Sequence, residues 1–574
     1  MNRGNLLRFT WVLVVIVGAL YVGIVLALSP YRGFWSGDAG VKLWQMEAWI
    51  ANGWRTPWTF YAEANAVLDP DHTLAPLGAP FAVWEGDRVL TIYTLPYVFI
   101  SSLLLSAGGL SALYAPPLIA GVGGLTLAAW VGRRFSGRVA FFAVLSLGLA
   151  SSWLFYSVTF WGHTVASVLV WGALALVLSS ARRSRALVGI AAGLCLGAAV
   201  SARPEAATSA LALLAVLAVR RSAWPMLGWV AVGLGLAGLA GWAYQAAVAG
   251  QAIGGQAAMN FAPSAFETRL WSLDRLFEMS QMVLESRQLG VLVILAGGLA
   301  VFGMAYAYRR LRPARAGRLG STVECLGLLL VAAGVVVLVL RGYQPIDLLF
   351  GVPVACLAFL RFGERAETVV AGGHWRRQLA VWCVLVVVLS VVLGRQNGGW
   401  QWGPRYLAPL LGPLVLLAVE RWDRLERGAR SLVERYAVRG ALVALMLAGV
   451  AVQAVGVVKL WHVRAGNDAL ARALLRAPLW TVVVTDLWFV PQIAPEVYGE
   501  MPFLVVRTPD EWSVLDERLA AQGVERVRVV RLAGQETPLV RSVSAGWQVE
   551  AGTVFRVPTI PPLVIVDYVP REPR

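Results

Sequence analysis

Long apolar stretches dominate the pattern of hydrophobic and polar positions, and short arginine-rich loops separate them along most of the chain. Stretches of roughly 17–25 residues match the length of helix that crosses the hydrocarbon core of a bilayer, so the pattern predicts a polytopic α-helical membrane protein with about 13 transmembrane helices. We place the spans at 9–28, 112–131, 139–156, 163–180, 224–246, 290–308, 322–340, 345–361, 378–394, 406–420 and 440–459, with two short spans flanking the segment from Ser201 to Glu205.

The arginine clusters give the orientation of these spans. Basic residues gather in the short cytoplasmic loops of membrane proteins, so Arg3 and Arg8 place the N-terminus in the cytoplasm. Residues 91–106 are apolar but short, and Pro96 interrupts them. Counting them as a crossing would invert every later arginine cluster. We therefore predict that 91–106 lies in the outer interface or re-enters, within a long extracytoplasmic loop at 30–111 that carries interfacial helices.

Composition supports a membrane protein and excludes other classes. The 574 residues are 58% hydrophobic and only 14% charged, with a mean hydropathy of +0.66, whereas soluble domains carry about 25% charged residues. The net charge of +16 comes from arginines dispersed among short loops. A nucleic-acid-binding surface needs a contiguous basic face, so we predict no nucleic-acid partner.

The last part of the chain changes character. Runs rich in β-branched residues at 481–485, 503–506, 527–530 and 563–566 predict short strands, and 510–522 predicts an amphipathic helix. We therefore divide the chain into a transmembrane domain at 1–460 and a small extracytoplasmic α/β domain at 461–574. This tail has no phosphate-binding glycine loop and no cluster of catalytic side chains, so we expect it to be dispensable for transfer to a small acceptor.

Asp38 follows the first span, in the segment Phe34-Trp35-Ser36-Gly37-Asp38-Ala39-Gly40. The next residues predict a helix over 40–52 that is rich in tryptophan, with apolar residues on one face and Lys42 among the polar ones. Such helices prefer the headgroup level of a membrane. Asp38 would then lie where lipid phosphates are found. The alternative is that its carboxylate only caps this helix.

Two further segments on the outer side carry polar candidates. Asp69-Pro70-Asp71-His72 has the residue types of a metal site, although a solvated turn is the simpler interpretation of Asp69 and Asp71. His163 begins a span on the same side of the membrane as Asp38. A single histidine at a helix end is usually structural, but its location also makes it a candidate for the site.

Arg203 and Arg405 lie at outer ends of helices, and Tyr406 follows Arg405. The planar guanidinium group can donate two hydrogen bonds to a phosphate. The alternative is that these arginines extend from helix ends toward the aqueous interface. Ion-coupled transporters need charged residues near the middle of the membrane. The predicted spans are almost free of them, because the polar groups collect at the outer side.

These residues resemble the GT-C superfamily of membrane glycosyltransferases, and more narrowly its bacterial protein-mannosyltransferase and aminoarabinose-transferase branch. The resemblance covers roughly residues 1–460 by topology. It rests on the local matches Ser-Gly-Asp-Ala around Asp38, Arg-Arg-Phe-Ser-Gly-Arg after the second span, Phe-Tyr to His163, Ala-Arg-Pro-Glu around Arg203 and Gly-Pro-Arg-Tyr-Leu-Ala-Pro around Arg405.

The resemblance implies an enzyme that takes a hexosyl or pentosyl group from a polyprenyl-phosphate-linked sugar. The acceptor would be a lipid, a glycan or a protein at the outer face of the cytoplasmic membrane. Asp38 would act as general base with inversion at the anomeric carbon, and Arg405 or Arg203 would balance the departing phosphate. Many relatives carry a second acidic residue where this chain has His163, which leaves a divalent cation as an open question.

Two alternatives to an enzyme remain at the level of sequence. One is a flippase or transporter of polyprenyl-linked glycans, and the other is an inactive scaffold. A flippase needs a polar path across the membrane, and the apolar spans argue against one. In each case membrane lipids are partners of the chain.

Overall fold

The computed structural model describes residues 3–78, 81–179, 185–250, 281, 316–343, 346–359, 373–393, 401–429, 431–478, 481–498, 500–557, 559 and 561–571. The helices within these residues are α1 (Arg3–Leu28), α2 (Gly37–Ala51), α3 (Glu63–Leu68), α4 (Leu95–Ala112), α5 (Ala115–Gly132), α6 (Gly137–Leu149), α7 (Trp153–Ser157), α8 (His163–Ser179), α9 (Arg185–Ala202), α10 (Ala207–Ala218), α11 (Trp224–Ala249), α12 (Ala316–Leu340), α13 (Leu348–Gly351), α14 (Gly373–Leu393), α15 (Leu411–Gly428), α16 (Leu432–Leu475), α17 (Val490–Ile493), α18 (Pro509–Ala521) and α19 (Pro538–Gly546).

Strands are confined to two small sheets in the described residues. An antiparallel sheet of order β1-β3-β2 lies in the loop after α1, and a five-stranded sheet of order β5-β4-β6-β8-β7 lies near the C-terminus. The strands are β1 (Thr59–Phe60), β2 (Ala82–Glu85), β3 (Arg88–Thr91), β4 (Val482–Thr485), β5 (Phe503–Val505), β6 (Val527–Leu532), β7 (Trp547–Val557) and β8 (Leu563–Pro570).

Seven helices in the described part of the chain are long and apolar enough to cross a membrane. They agree with a polytopic helical membrane protein that ends in a small α/β region, as the sequence predicts. Four shorter apolar helices accompany them. The span predicted at 290–308 lies outside the described residues. The long apolar candidates are Asn5–Leu28, Leu95–Ala112, Ala115–Gly132, Arg185–Ala202, Arg221–Ala249, Trp375–Leu393 and Leu432–Leu475.

Within the span predicted at 345–361, the described residues 346–359 do not form the single helix that the apolar pattern predicts. They form α13 and then a 3₁₀ helix at Pro353–Phe359. Asp347 caps α13, because its Oδ1 accepts a hydrogen bond from Phe350 N at 2.9 Å, and Pro353 has no N–H to continue an α-helix. Helix α4 also departs from the predicted 91–106, since it extends to Ala112 through a backbone break at Gly108 and Gly109.

The chain divides into two compact units. The first comprises Met1–Val25, Tyr114–Gly241 and Asn260–Val457. The second comprises Leu26–Leu113, Trp242–Met259 and Val458–Arg574. The loop at 30–111 and the tail, which the sequence analysis treated as parts of different domains, therefore belong to one unit.

An ionic network in the first unit connects α6, α15 and α16. Asp423 on α15 is fully buried. It accepts a hydrogen bond from Ser136 Oγ at 2.9 Å and lies 3.4 Å from Arg138. Glu426 pairs with Arg138 and, at 2.6 Å, with Arg439. Buried carboxylates are tolerated when they are paired in this way, so the arginines here have a structural role.

The second unit is built around the C-terminal sheet. Strand β4 runs parallel to both β5 and β6, whereas β8 is antiparallel to β6 and β7. The strands and the helix predicted in this tail are confirmed, and the sequence analysis missed β7 and α19. Leu68 and Leu74 from the preceding loop join the apolar core of this sheet. Val505 N also donates to Leu74 O at 2.8 Å.

Helix α2 packs very closely against the segment that contains α17. A Cβ atom added to Gly40 would lie 1.9 Å from Gln492 O, and one added to Gly37 would lie 2.3 Å from Gln492 Oε1. The contact leaves no room for a methyl group at either position. Lys42, which the pattern predicts on a polar face, is only 2% exposed. Helix α2 is therefore buried within the second unit on more than its apolar face.

We expect Gly40→Ala to lower the stability of the protein, because its methyl group overlaps backbone that cannot rotate away. Overpacking of this kind costs about 1–3 kcal/mol. Thermal unfolding of the purified protein in detergent measures the effect. Gly23→Ala is the matched control, since a Cβ there meets nothing within 4 Å on an exposed helix face. Equal melting temperatures for Gly40→Ala and wild type would contradict the close contact.

Candidate active site

Asp38 lies in the first turn of α2 and is not its N-cap. The N-cap residue is Ser36, with extended backbone angles (φ −137°, ψ 156°). Asp38 Oδ1 instead accepts a hydrogen bond from the hydroxyl of Tyr93 at 2.7 Å. A negative charge in the first turn is favoured by the helix dipole. The carboxylate is half-buried and is oriented by a partner from a distant part of the same unit.

Lys42 completes a small polar cluster with Asp38 and Tyr93. Its Nζ lies 4.7 Å from the centroid of the Tyr93 ring, one helical turn after Asp38. A cation over an aromatic face is attracted by the ring's negative charge density, the more so when it is shielded from water. We expect Lys42 to polarise the Tyr93 phenol and to strengthen its hydrogen bond to the carboxylate. The sequence analysis missed this role, although the spacing of four residues places Lys42 and Asp38 on one helix face.

The chain that enters α2 is held by the last part of α16, residues 458–475. Arg464 Nε donates to Gly33 O at 2.9 Å, and Asn467 Nδ2 donates to Phe34 O at 2.8 Å. Asp468 Oδ1 accepts from Arg32 N at 3.1 Å. These buried polar side chains thus form hydrogen bonds with the backbone groups of residues 32–34, just before Asp38. The hydrogen bonds fix the start of α2.

Asp69 and Asp71 are occupied by structural contacts. Asp69 is fully buried and accepts hydrogen bonds from the Tyr61 hydroxyl at 2.9 Å and from Leu74 N at 3.0 Å. Asp71 is exposed and pairs with Arg518 at 3.1 Å. Within the described ranges, no three acidic, histidine or cysteine side chains gather as metal ligands would. These contacts give both aspartates a role in holding the loop.

His163, Arg203 and Arg405 come together in the first unit, because α8 and the 3₁₀ helices Pro204–Ala206 and Arg405–Leu410 contact one another. His163 is 4% exposed and lies among aromatic rings, 5.6 Å from that of Tyr156. Arg203 is also buried, and its Nη2 donates to Glu205 Oε1 at 2.9 Å. These three residues therefore form one cluster.

Arg405 is positioned by its neighbour and by a tight turn. Its Nη2 donates to the Tyr406 hydroxyl at 2.7 Å, and its guanidinium lies 4.7 Å from the centroid of that ring. The turn before it requires Gly403, which has φ +76° and would place a Cβ 2.5 Å from Ser152 Cβ. The half-buried guanidinium has the chemistry to bind a phosphate.

Asp347 is a buried acidic residue that the sequence analysis overlooked. It is fully buried and caps α13, and the adjoining Gly351 packs on Pro404, beside Arg405. It was hidden because the apolar pattern places it inside a predicted span. The Asn-Gly-Gly segment at 397–399, which precedes Arg405 in the chain, lies outside the described residues.

Comparison with known proteins relates the chain to solved structures only. No protein-family model and no curated protein sequence matches it. ArnT from Cupriavidus metallidurans bound to undecaprenyl phosphate aligns over 97% of this chain and 98% of that chain, with a TM-score of 0.51 and 14% identity. The apo form of ArnT gives the same TM-score and identity over 98% of each chain.

An oligosaccharyltransferase from Archaeoglobus fulgidus aligns over 91% of this chain and 69% of that chain, with a TM-score of 0.48 and 14% identity. The ArnT alignments extend over nearly the whole of both chains. At their level of identity, they establish a shared fold. The chain therefore shares the fold of ArnT over nearly its whole length, as its motifs predict.

Proposed function

We propose that the chain is a membrane glycosyltransferase. It transfers a sugar from a polyprenyl-phosphate donor to a hydroxyl group of a lipid, glycan or protein acceptor at the outer face of the cytoplasmic membrane. The observation that carries the proposal is the carboxylate of Asp38, fixed by Tyr93 at 2.7 Å at the start of a buried helix. The ArnT fold supports it, since one ArnT structure is bound to undecaprenyl phosphate.

In the proposed reaction, Asp38 accepts the proton of the acceptor hydroxyl as that oxygen attacks the anomeric carbon of the donor sugar. The bond from the anomeric carbon to the phosphate oxygen breaks, and the polyprenyl phosphate leaves with the electron pair. A single displacement inverts the configuration of the sugar. A carboxylate suits this role because it is ionised near neutral pH, and general-base catalysis contributes about 10²–10⁴-fold.

The leaving phosphate gains negative charge and needs a cationic partner. We assign this role to the cluster that holds Arg203 and Arg405. The Glu205 carboxylate, 2.9 Å from Arg203, offsets the charge of that arginine, so we assign the larger share to Arg405. Donors placed before the reaction stabilise developing charge without further reorganisation.

Asp38→Asn tests the proposed base directly. Asparagine keeps the size of the side chain and can still accept from Tyr93, but it cannot take a proton. We expect transfer from a panel of polyprenyl-phosphate hexoses and pentoses to fall by about 10²–10⁴-fold, with donor-lipid binding and melting temperature unchanged. Asp71→Asn, on the exposed Arg518 pair, is the control and should retain activity. Near-normal turnover by Asp38→Asn would reject the assignment.

Tyr93→Phe removes only the hydroxyl that orients Asp38. A hydrogen bond to a charged group contributes about 1.5–3 kcal/mol, so we expect activity to fall by roughly tenfold or more. This bond favours the ionised carboxylate. Its loss should therefore shift the acidic limb of the pH–rate profile to higher pH. Tyr568→Phe, at a buried tyrosine of the C-terminal sheet, should leave the profile in place. An unshifted profile in Tyr93→Phe would show that the hydroxyl does not act through Asp38.

A further inference from the structure

The second unit contains a cavity of about 250 Å³ that the proposed reaction does not use. It lies beside the second half of α2, and its walls include α2 itself, the small sheet of the loop and the segment after α17. Ligand sites for drug-sized molecules measure about 300–1,000 Å³. The cavity is smaller, with room for one ring and its substituents. The residues that carry its chemistry are Trp44, Glu47, Tyr61, Asn65, Trp84 and Tyr498.

Four aromatic side chains line this cavity. The ring of Trp44 packs edge-on against Tyr498 at 6.2 Å, and that of Tyr61 packs edge-on against Trp84 at 5.2 Å. Aromatic rings offer rigid apolar surface and lose little conformational entropy on binding. They therefore suit a ligand with an apolar face.

The polar groups of the cavity are a carboxyl and an amide. Asn65 Oδ1 accepts from Phe503 N at 2.9 Å, which leaves its Nδ2 as the donor for a ligand. Tyr498 is 6% exposed, and no described residue is a hydrogen-bond partner of its hydroxyl. The Tyr498 hydroxyl is closed to solvent, so the cavity presents the ring of Tyr498, and the polar contacts of a ligand are left to Glu47 and Asn65.

The charges of the side chains around the cavity limit the class of ligand that it can bind. Among the described residues no basic side chain lines the cavity, so a phosphate or a carboxylate would meet repulsion from Glu47. Burial and the neighbouring Glu496 raise the pKa of Glu47 to about 7. Part of the Glu47 side chain is exposed to solvent, and this solvent screens the charge of Glu496. A carboxyl that titrates near neutral pH pairs with neutral hydroxyl groups in both of its states.

The loop that contains Asp69 and His72 supports two walls of the cavity. Asp69 holds the Tyr61 hydroxyl at 2.9 Å. His72 stacks on Trp84 with 4.7 Å between ring centroids. The backbone of His72 is left-handed, with φ +57°, a conformation that persists only where surrounding contacts impose it. Asp69 and His72 are thus positioning residues for the aromatic walls.

We propose that this cavity binds one neutral sugar ring of a glycan acceptor. The apolar face of the ring would lie on the aromatic walls, and its hydroxyl groups would bond to Glu47 and Asn65. Glu47 lies nine residues after Asp38 on α2, which corresponds to about 14 Å along the helix. The bound ring is therefore remote from the reacting hydroxyl. The proposal rests on the proposed function for its acceptor, and its binding site can be tested without turnover.

Saturation-transfer NMR on the purified full-length protein, with no donor lipid present, tests the site. The probes are neutral methyl hexopyranosides, with choline as a cation that also binds aromatic cages. We expect the glycosides to bind at millimolar concentration. Glu47→Met, which keeps the length of the side chain and removes the carboxyl, should weaken binding by about fivefold or more, as loss of one hydrogen bond predicts. Trp44→Ala, which removes one aromatic wall, should weaken binding as well. Tyr568→Phe, at another buried tyrosine of the same unit, should bind like wild type.

The outcomes separate this proposal from the proposed function. Asp38→Asn should bind the glycosides normally, because Asp38 does not line the cavity. Glycosides that do not bind, or that bind to Glu47→Met and Trp44→Ala as they bind to the wild-type protein, would overturn the site whatever the transferase assay shows. Binding of choline in preference to the glycosides, increasing as the pH rises through about 7, would instead identify a cation site and overturn the sugar assignment.

Discussion

The close approach of α2 to the segment around Gln492 is the contact on which the proposed site depends. Gly37 and Gly40 flank Asp38, and each would place a Cβ within 2.5 Å of Gln492. Glycine is needed at both positions for the helix to lie this near. This contact fixes the position of α2. The Tyr93 hydroxyl therefore bonds to Asp38, and Lys42 lies over the Tyr93 ring, in one defined geometry. The tail that supplies Gln492 contributes no reactive group, and it still supports the carboxylate.

This support changes what we expect of the tail. The sequence alone suggested that residues 461–574 are dispensable for transfer to a small acceptor, because they carry no catalytic cluster. The contacts of Gln492 with α2, and those of Arg464, Asn467 and Asp468 with residues 32–34, argue against that expectation. Removing the tail would expose the face of α2 that packs on Gln492 and would leave the backbone of residues 32–34 without these partners. We expect such a truncation to lose folding and activity together.

Local patterns predicted much of this molecule because they report local structure. The apolar spans, the strands of the tail and Asp38 at the start of a helix all follow from periodicity and spacing along the chain. Other features depend on contacts between residues that are distant in the chain, which no local pattern contains. These features are the burial of Lys42, the packing of the 30–111 loop with the tail in one unit, and the stacking of His72 on Trp84. Asp347 was missed for a related reason, because an apolar run conceals a short capped helix followed by a 3₁₀ helix.

The central claim is a single displacement assisted by Asp38, and the configuration of the transferred sugar tests it most directly. The measurement is NMR of the product formed by purified protein from an anomerically pure polyprenyl-phosphate hexose, with the one-bond carbon–hydrogen coupling at the anomeric centre as readout. The proposed mechanism predicts the opposite anomer to that of the donor. A product that retains the donor configuration would require an intermediate between two displacements and would contradict the single displacement.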